Sequence, residues 1–109
     1  MVLAAVIPLV LVVVAATRGD TTTHRFVIAA GTRAALAAGQ QPPSTIPSSL
    51  EVTVGDTLEV VNEDSEAHTY AFMVLRPGET ARHVFRQPGE FSGECTVNEH
   101  EKVTITVVR

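Results

Sequence analysis

Cysteine occurs once in this chain of 109 residues, tryptophan is absent, and the aromatics are one tyrosine and four phenylalanines. A single thiol cannot close an intramolecular disulfide, so Cys95 is left to be buried, paired between chains or bound to a metal. So few rings leave no stacking platform for bases. Lysine and arginine never stand side by side, and 8 basic against 12 acidic residues give a formal charge of −4 with neutral histidines. Nucleic acid is therefore excluded as a partner, because its phosphates need clustered positive charge. A polybasic membrane face is excluded on the same ground. Enzyme signatures are missing as well. No nucleophile-elbow motif is present for serine catalysis, and nothing around Cys95 resembles a cysteine protease, so the chain reads as a non-enzyme.

Polar groups are missing from one long stretch. Met1 to Ala16 carries no charged or polar side chain. Such a run belongs in lipid or in the export machinery, and it falls short of the ~20 residues of a full span. Val14 and Ala16 before Thr17 make a small-residue cleavage site, so residues 1–17 are expected to be a signal peptide or an uncleaved membrane anchor. This predicts an extracytoplasmic location, periplasmic or at the cell surface, with the membrane touched only through that segment.

Residues 24–109 then form one domain, expected to be all-β. His24 to Ala29 reads as a first strand, and Thr32 to Gly39 as a helical turn capped by Gly39. Gln40 to Ser49, with Pro42, Pro43 and Pro47, cannot be helix or central strand. From Leu50 the apolar period becomes two: Leu50, Val52 and Val54, a turn at Gly55 and Asp56, then Leu58 and Val60. Thr69 to Leu75 reads as one strand with Tyr70, Phe72 and Val74 in phase. Glu79 to Arg86, Glu90 to Cys95 and Lys102 to Arg109 follow, separated by Pro-Gly turns and a loop. About seven strands at this spacing predict a sandwich or small barrel.

The chemistry gathers where the loops of such a sandwich meet. His68 follows the break at Asn62 to Ser65, and Cys95 precedes His100 by five residues across a loop between two strands. One thiolate and two imidazoles form a ligand set that suits copper; zinc accepts the same groups but its structural sites take four protein ligands. His24 and His83 sit inside strands and are read as structural. Glu63, Asp64 and Glu66 read as a solvated acidic turn able to meet a cationic partner. Asn62 is expected to hold loops together by hydrogen bonds.

Two stretches resemble a known family. Val54 to Asp64 followed by His68 is similar to the cupredoxin pattern of strand, Gly-Asp turn, strand ending in Asn and first copper histidine. Arg76-Pro77-Gly78-Glu79-Thr80, Phe85, Pro88-Gly89-Glu90-Phe91 and Cys95 resemble the hairpin leading to the copper cysteine of plastocyanin-like and azurin-like proteins. The resemblance covers residues 50–109, and residues 24–49 look like the N-terminal extension of small bacterial cupredoxin-domain proteins. It implies a Greek-key β-sandwich in which His68, Cys95 and His100 bind one copper ion, and electron transfer with a redox protein partner. The alternative it leaves is a binding or copper-handling module without redox turnover. One departure stands out: family members often carry a Met shortly after the second histidine, whereas Glu101, Lys102 and Val103 follow His100 here. Met73 is no replacement on an extended strand, which would put it roughly 16 Å from His68. An oxygen from Asn98, Glu99 or Glu101, or no axial ligand, remains open.

Overall fold

The computed structural model describes residues 21–43, 46–97 and 101–109. The segment 1–17, expected to be a signal or anchor, lies outside them. Among the described residues no helix is long and apolar enough to cross a membrane. The elements are β1 (Thr23–Ile28), α1 (Thr32–Ala37), β2 (Ser49–Thr53), β3 (Thr57–Asn62), β4 (His68–Ala71), β5 (Met73–Leu75), β6 (Thr80–Val84), β7 (Gly89–Cys95) and β8 (Glu101–Val108). They form a three-stranded sheet in the order β1-β3-β6 and a five-stranded sheet in the order β2-β8-β7-β4-β5. β1 runs parallel to β3 and β2 parallel to β8, while the remaining pairs are antiparallel.

Alternation of side chains decides which face each strand buries. In the smaller sheet Phe26, Val60 and Ala81 lie in one row and Arg25, Glu59 and Arg82 in the next. Val60 is fully buried, whereas Glu59 takes Arg25 Nε at 2.8 Å and Arg82 Nε at 3.4 Å on the outer face. In the larger sheet Val103, Ile105 and Val107 of β8 point inward and meet Leu50 and Val52 of β2. One apolar cluster, which also takes in Ile28, Leu58, Tyr70, Leu75, Phe85 and Cys95, fills the space between the sheets.

The turn after β2 ties the sheets together. Val54 N–H donates to Val108 O at 2.8 Å, Gly55 N–H to Phe85 O at 2.7 Å, and Phe85 N–H to Asp56 O at 2.9 Å. Gly55 holds φ at 98°, a left-handed value that a side chain would oppose. Asp56 stays in this corner, 5% exposed, accepting from Thr22 N–H at 2.9 Å, Thr53 N–H at 3.0 Å and the His24 ring at 2.9 Å.

The helix ends as its glycine predicts. Gly39 at φ 71° sends its N–H to Leu36 O, and Gln40 N–H reaches Ala35 O, the paired bonds of a Schellman motif.

The expected single strand Thr69 to Leu75 is two strands. The chain folds back at Ala71 and Phe72, with Ala71 at φ 54°, so that Tyr70 pairs with Met73 and His68 with Leu75. The fold changes the phase: Tyr70, Met73 and Leu75 go inward, whereas Phe72 and Val74 are 40% and 70% exposed. Met73 consequently stands diagonally from His68, roughly 7–8 Å away between Cα atoms rather than ~16 Å. Behind this bend β7 needs a glycine. A Cβ on Gly93 would lie 2.7 Å from the carbonyl carbon and 2.9 Å from the Cα of Ala71.

Candidate metal centre

β4 and β7 bring two of the three expected ligands to one end of the larger sheet. Tyr70 pairs with Cys95, and the ladder continues by Thr96 N–H donating to Thr69 O at 3.0 Å. Cys95 is the last residue of β7 and His68 the first of β4, and both are buried, at 0% and 1% exposure. Tyr70 lies between Cys95 and Met73 in the same cross-strand row, so Met73 is screened from the thiol by a phenol ring.

The His68 ring is held at both nitrogens. Nε2 lies 2.8 Å from Asp64 Oδ2, and Nδ1 lies 3.0 Å from the hydroxyl of Thr96, the neighbour of Cys95. That hydroxyl also accepts Thr69 N–H at 2.9 Å. The imidazole is therefore bonded to the residue next to Cys95, across paired strands. His100, the third expected ligand, lies outside the described residues, as do Asn98 and Glu99. Among the described residues no three His, Cys, Asp or Glu side chains gather as a metal-holding group.

The break expected at Asn62 is a locked loop. Asn62, fully buried, shares its two amide hydrogens among Glu66 O at 2.9 Å, Arg76 O at 3.1 Å and Leu75 O at 3.3 Å. Its Oδ1 accepts Asp64 N–H at 3.0 Å. Asn62 thus fastens the approach to His68 onto the end of β5, and among the described residues no bond runs from it to the Cys95 side.

No protein-family model matches the sequence, and no curated protein does. Solved structures do match. The Cu(I) form of an amicyanin mutant aligns over 85% of this chain and 88% of its own, with a TM-score of 0.51 at 18% identity. The fold is that of the cupredoxins. A purple cupredoxin from Nitrosopumilus maritimus matches over 77% of this chain and 98% of that one, with 21% identity and a TM-score of 0.47. A copper-containing nitrite reductase from Thermus scotoductus SA-01 matches 59% of this chain, which spans only 20% of that protein, at 28% identity and a TM-score of 0.46.

Within this cupredoxin fold, two residues near His68 escaped the reading of the sequence. Asp64 was expected in a solvated acidic turn with Glu63 and Glu66, and those two are exposed, but Asp64 is only 4% exposed. Its carboxylate accepts Gly31 N–H at 3.0 Å, Arg33 N–H at 2.9 Å and Ser65 N–H at 2.9 Å besides the His68 contact. Burial alone would raise its pKa; the hydrogen bonds from His68, Arg33, Gly31 and Ser65 outweigh that and hold it at about 2. The helix start has no capping side chain of its own, and Asp64 supplies the missing acceptor from 31 residues away. Thr96 was passed over as part of a loop. A hydroxyl directly after the cysteine was the signal available for it.

His24 and His83 are placed as expected, inside strands. The first meets Asp56 and the second packs edge-on against Phe72 at 4.8 Å and Phe85 at 4.9 Å. Tyr70 donates its hydroxyl to Pro47 O at 2.7 Å, and burial, with the thiol of Cys95 beside it, pushes its pKa up to about 12.

Proposed function

We propose that this protein binds one copper ion through His68, Cys95 and His100 and passes single electrons to and from a redox protein outside the cytoplasm. The observation that carries the reading is the junction of His68 and Cys95: two buried donors on paired strands at one end of a cupredoxin fold, joined through Thr96. The donor chemistry fits the metal. A thiolate and an imidazole are soft and borderline ligands of the kind copper takes, and a rigid sheet sets their geometry. When bound, the ion would supply a one-electron couple. The protein's own contribution is to keep the ligand side chains in place: His68 is held at Nε2 by Asp64, leaving Nδ1 for the metal once the Thr96 hydroxyl turns away, and Cys95 is held by complete burial. The amicyanin match supports the reading through its fold and through the Cu(I) its name records. The apolar run at residues 1–16 supports export.

Addition of Cu(II) to the full chain should produce strong visible absorption from thiolate-to-copper charge transfer, with reversible voltammetry. Cys95→Ala should abolish the colour and His100→Ala should weaken or shift it. Uptake of copper without the absorption band, or uptake indifferent to His100→Ala, would favour a copper-handling module without redox turnover.

A further inference from the structure

The chain of bonds through His68 has a direction. Ionised carboxylates only accept, so the Asp64 contact at 2.8 Å places the ring hydrogen on Nε2. At the other end Thr96 Oγ1 accepts Thr69 N–H and lies 3.0 Å from Nδ1, and once Nε2 carries the hydrogen of the neutral ring the Thr96 hydroxyl donates to Nδ1. The Asp64 end thus selects the tautomer and the Thr96 end accommodates it, with the Nδ1 lone pair turned toward the cysteine strand and the Thr96 hydroxyl, which would rotate away for that nitrogen to take a metal. Asp64 is itself immobilised by three backbone N–H groups from two separate segments, Gly31 and Arg33 at the helix start and Ser65 in its own loop. The ring is therefore fixed by an anion that cannot swing away.

We infer that Asp64 is a positioning residue for the metal centre: it keeps His68 in the Nε2–H tautomer with Nδ1 as the donor nitrogen, and lends negative charge to the ring so that Cu(II) is favoured over Cu(I). This deepens the copper reading and rests on it for the second half. A carboxylate behind a ligating imidazole raises the basicity of the ligand and orients it, and loss of such partners typically costs about 10- to 100-fold in metal affinity. The carboxylate bears full charge where a backbone carbonyl would carry only a dipole. The couple concerned is Cu(II) plus one electron from a reduced redox protein giving Cu(I), and added negative charge disfavours the reduced side.

Asp56 provides a matched control. It is likewise a buried carboxylate taking two backbone N–H groups and a histidine ring, but it precedes β3 whereas Asp64 follows it, roughly 20 Å along the strand. The first measurement needs no variant: long-range nitrogen-15 NMR of the metal-free full chain at pH 8 should show His68 protonated at Nε2 and bare at Nδ1. Asp64→Asn should then weaken Cu(II) binding by about 10- to 100-fold and raise the midpoint potential. Asp56→Asn should lower stability while leaving both values near wild type. A hydrogen on Nδ1 of His68, or equal changes of affinity and potential in the two variants, overturns the inference. Failure of the wild-type chain to take up Cu(II) would defeat the copper reading and the claim about charge, while the NMR result would still decide whether Asp64 sets the tautomer.

Discussion

Two aspartates show how a residue's neighbours in sequence mislead about its role. Asp56 stands in a Gly-Asp turn, and its turn position was readable from Gly55 and the apolar period on either side. Its burial was not, because the three groups that bond it come from Thr22, Thr53 and His24, two of them more than thirty residues away. Asp64 sits among exposed acids and reads as solvent-facing for the same reason. The consequence for stability can be tested at Asp56. The His24 hydrogen bond first, then those from Thr53 and Thr22, lower its carboxyl from the ordinary 3.8 to about 2. A carboxyl with a depressed folded-state pKa takes up protons first in the unfolded chain, so its contribution is fully present above about pH 4. That contribution disappears as pH falls through about 2. Urea unfolding of wild type and Asp56→Asn should give a stability gap that is steady near neutrality and closes between pH 4 and pH 2. A gap that widens on acidification would exclude this account.

Elements were legible where one rule governed a whole segment. β2, β3 and β8 follow a clean period of two, and the helix was bounded by Thr32 and Gly39, so each was found in place. β4 and β5 were not separated, since Tyr70, Phe72 and Val74 sustain the same period straight through the bend. The break goes with a tertiary contact: β7 passes so close to the bend at Ala71 that only a glycine fits at position 93, and no local residue announces the turn. The prolines before β2 mark a stretch that is neither helix nor strand over residues 40–43 and 46–48, and Tyr70 anchors it through Pro47 O. The loop between β3 and β4 depends on Asn62 in a similar way, because three backbone carbonyls and the Asp64 N–H find their partner in that one side chain. Orphaned buried groups cost about 1–3 kcal/mol each when water cannot reach them. Asn62→Ala should therefore lose about 3 kcal/mol of unfolding free energy, with part of the loss relieved by water entering the loop. Amide hydrogen exchange should accelerate first at Asp64 and Ser65 and leave β8 protected. Uniform acceleration across both sheets would mean that Asn62 acts on the core rather than on the loop.

At the scale of the whole molecule the sandwich was legible and the meeting of β4 and β7 at its candidate metal end only partly so. His68 and Cys95 could be paired on paper because strands alternate and loops gather at sandwich ends, but their link through Thr96 required the register of β4 against β7. That register is short: the ladder joins Tyr70 to Cys95 and Ala71 to Glu94, with one further bond from Thr96 to Thr69. β7 and β8, by contrast, pair continuously from Gly89 to Cys95. An ion held by His68 and Cys95 would thus brace the shorter of the two seams that β7 makes. Because both sheets share one core, the gain should belong to the global transition rather than to one edge. Free Cu(II) at a hundred times its dissociation constant should raise the unfolding free energy by about 2.7 kcal/mol, provided the unfolded chain does not compete for it. Urea titrations followed by tyrosine fluorescence and by far-ultraviolet circular dichroism should move together, return to the metal-free midpoint on chelation, and show no copper response in Cys95→Ala. Separate shifts for the two probes would place the ion on a locally unfolding edge instead of across the sheet.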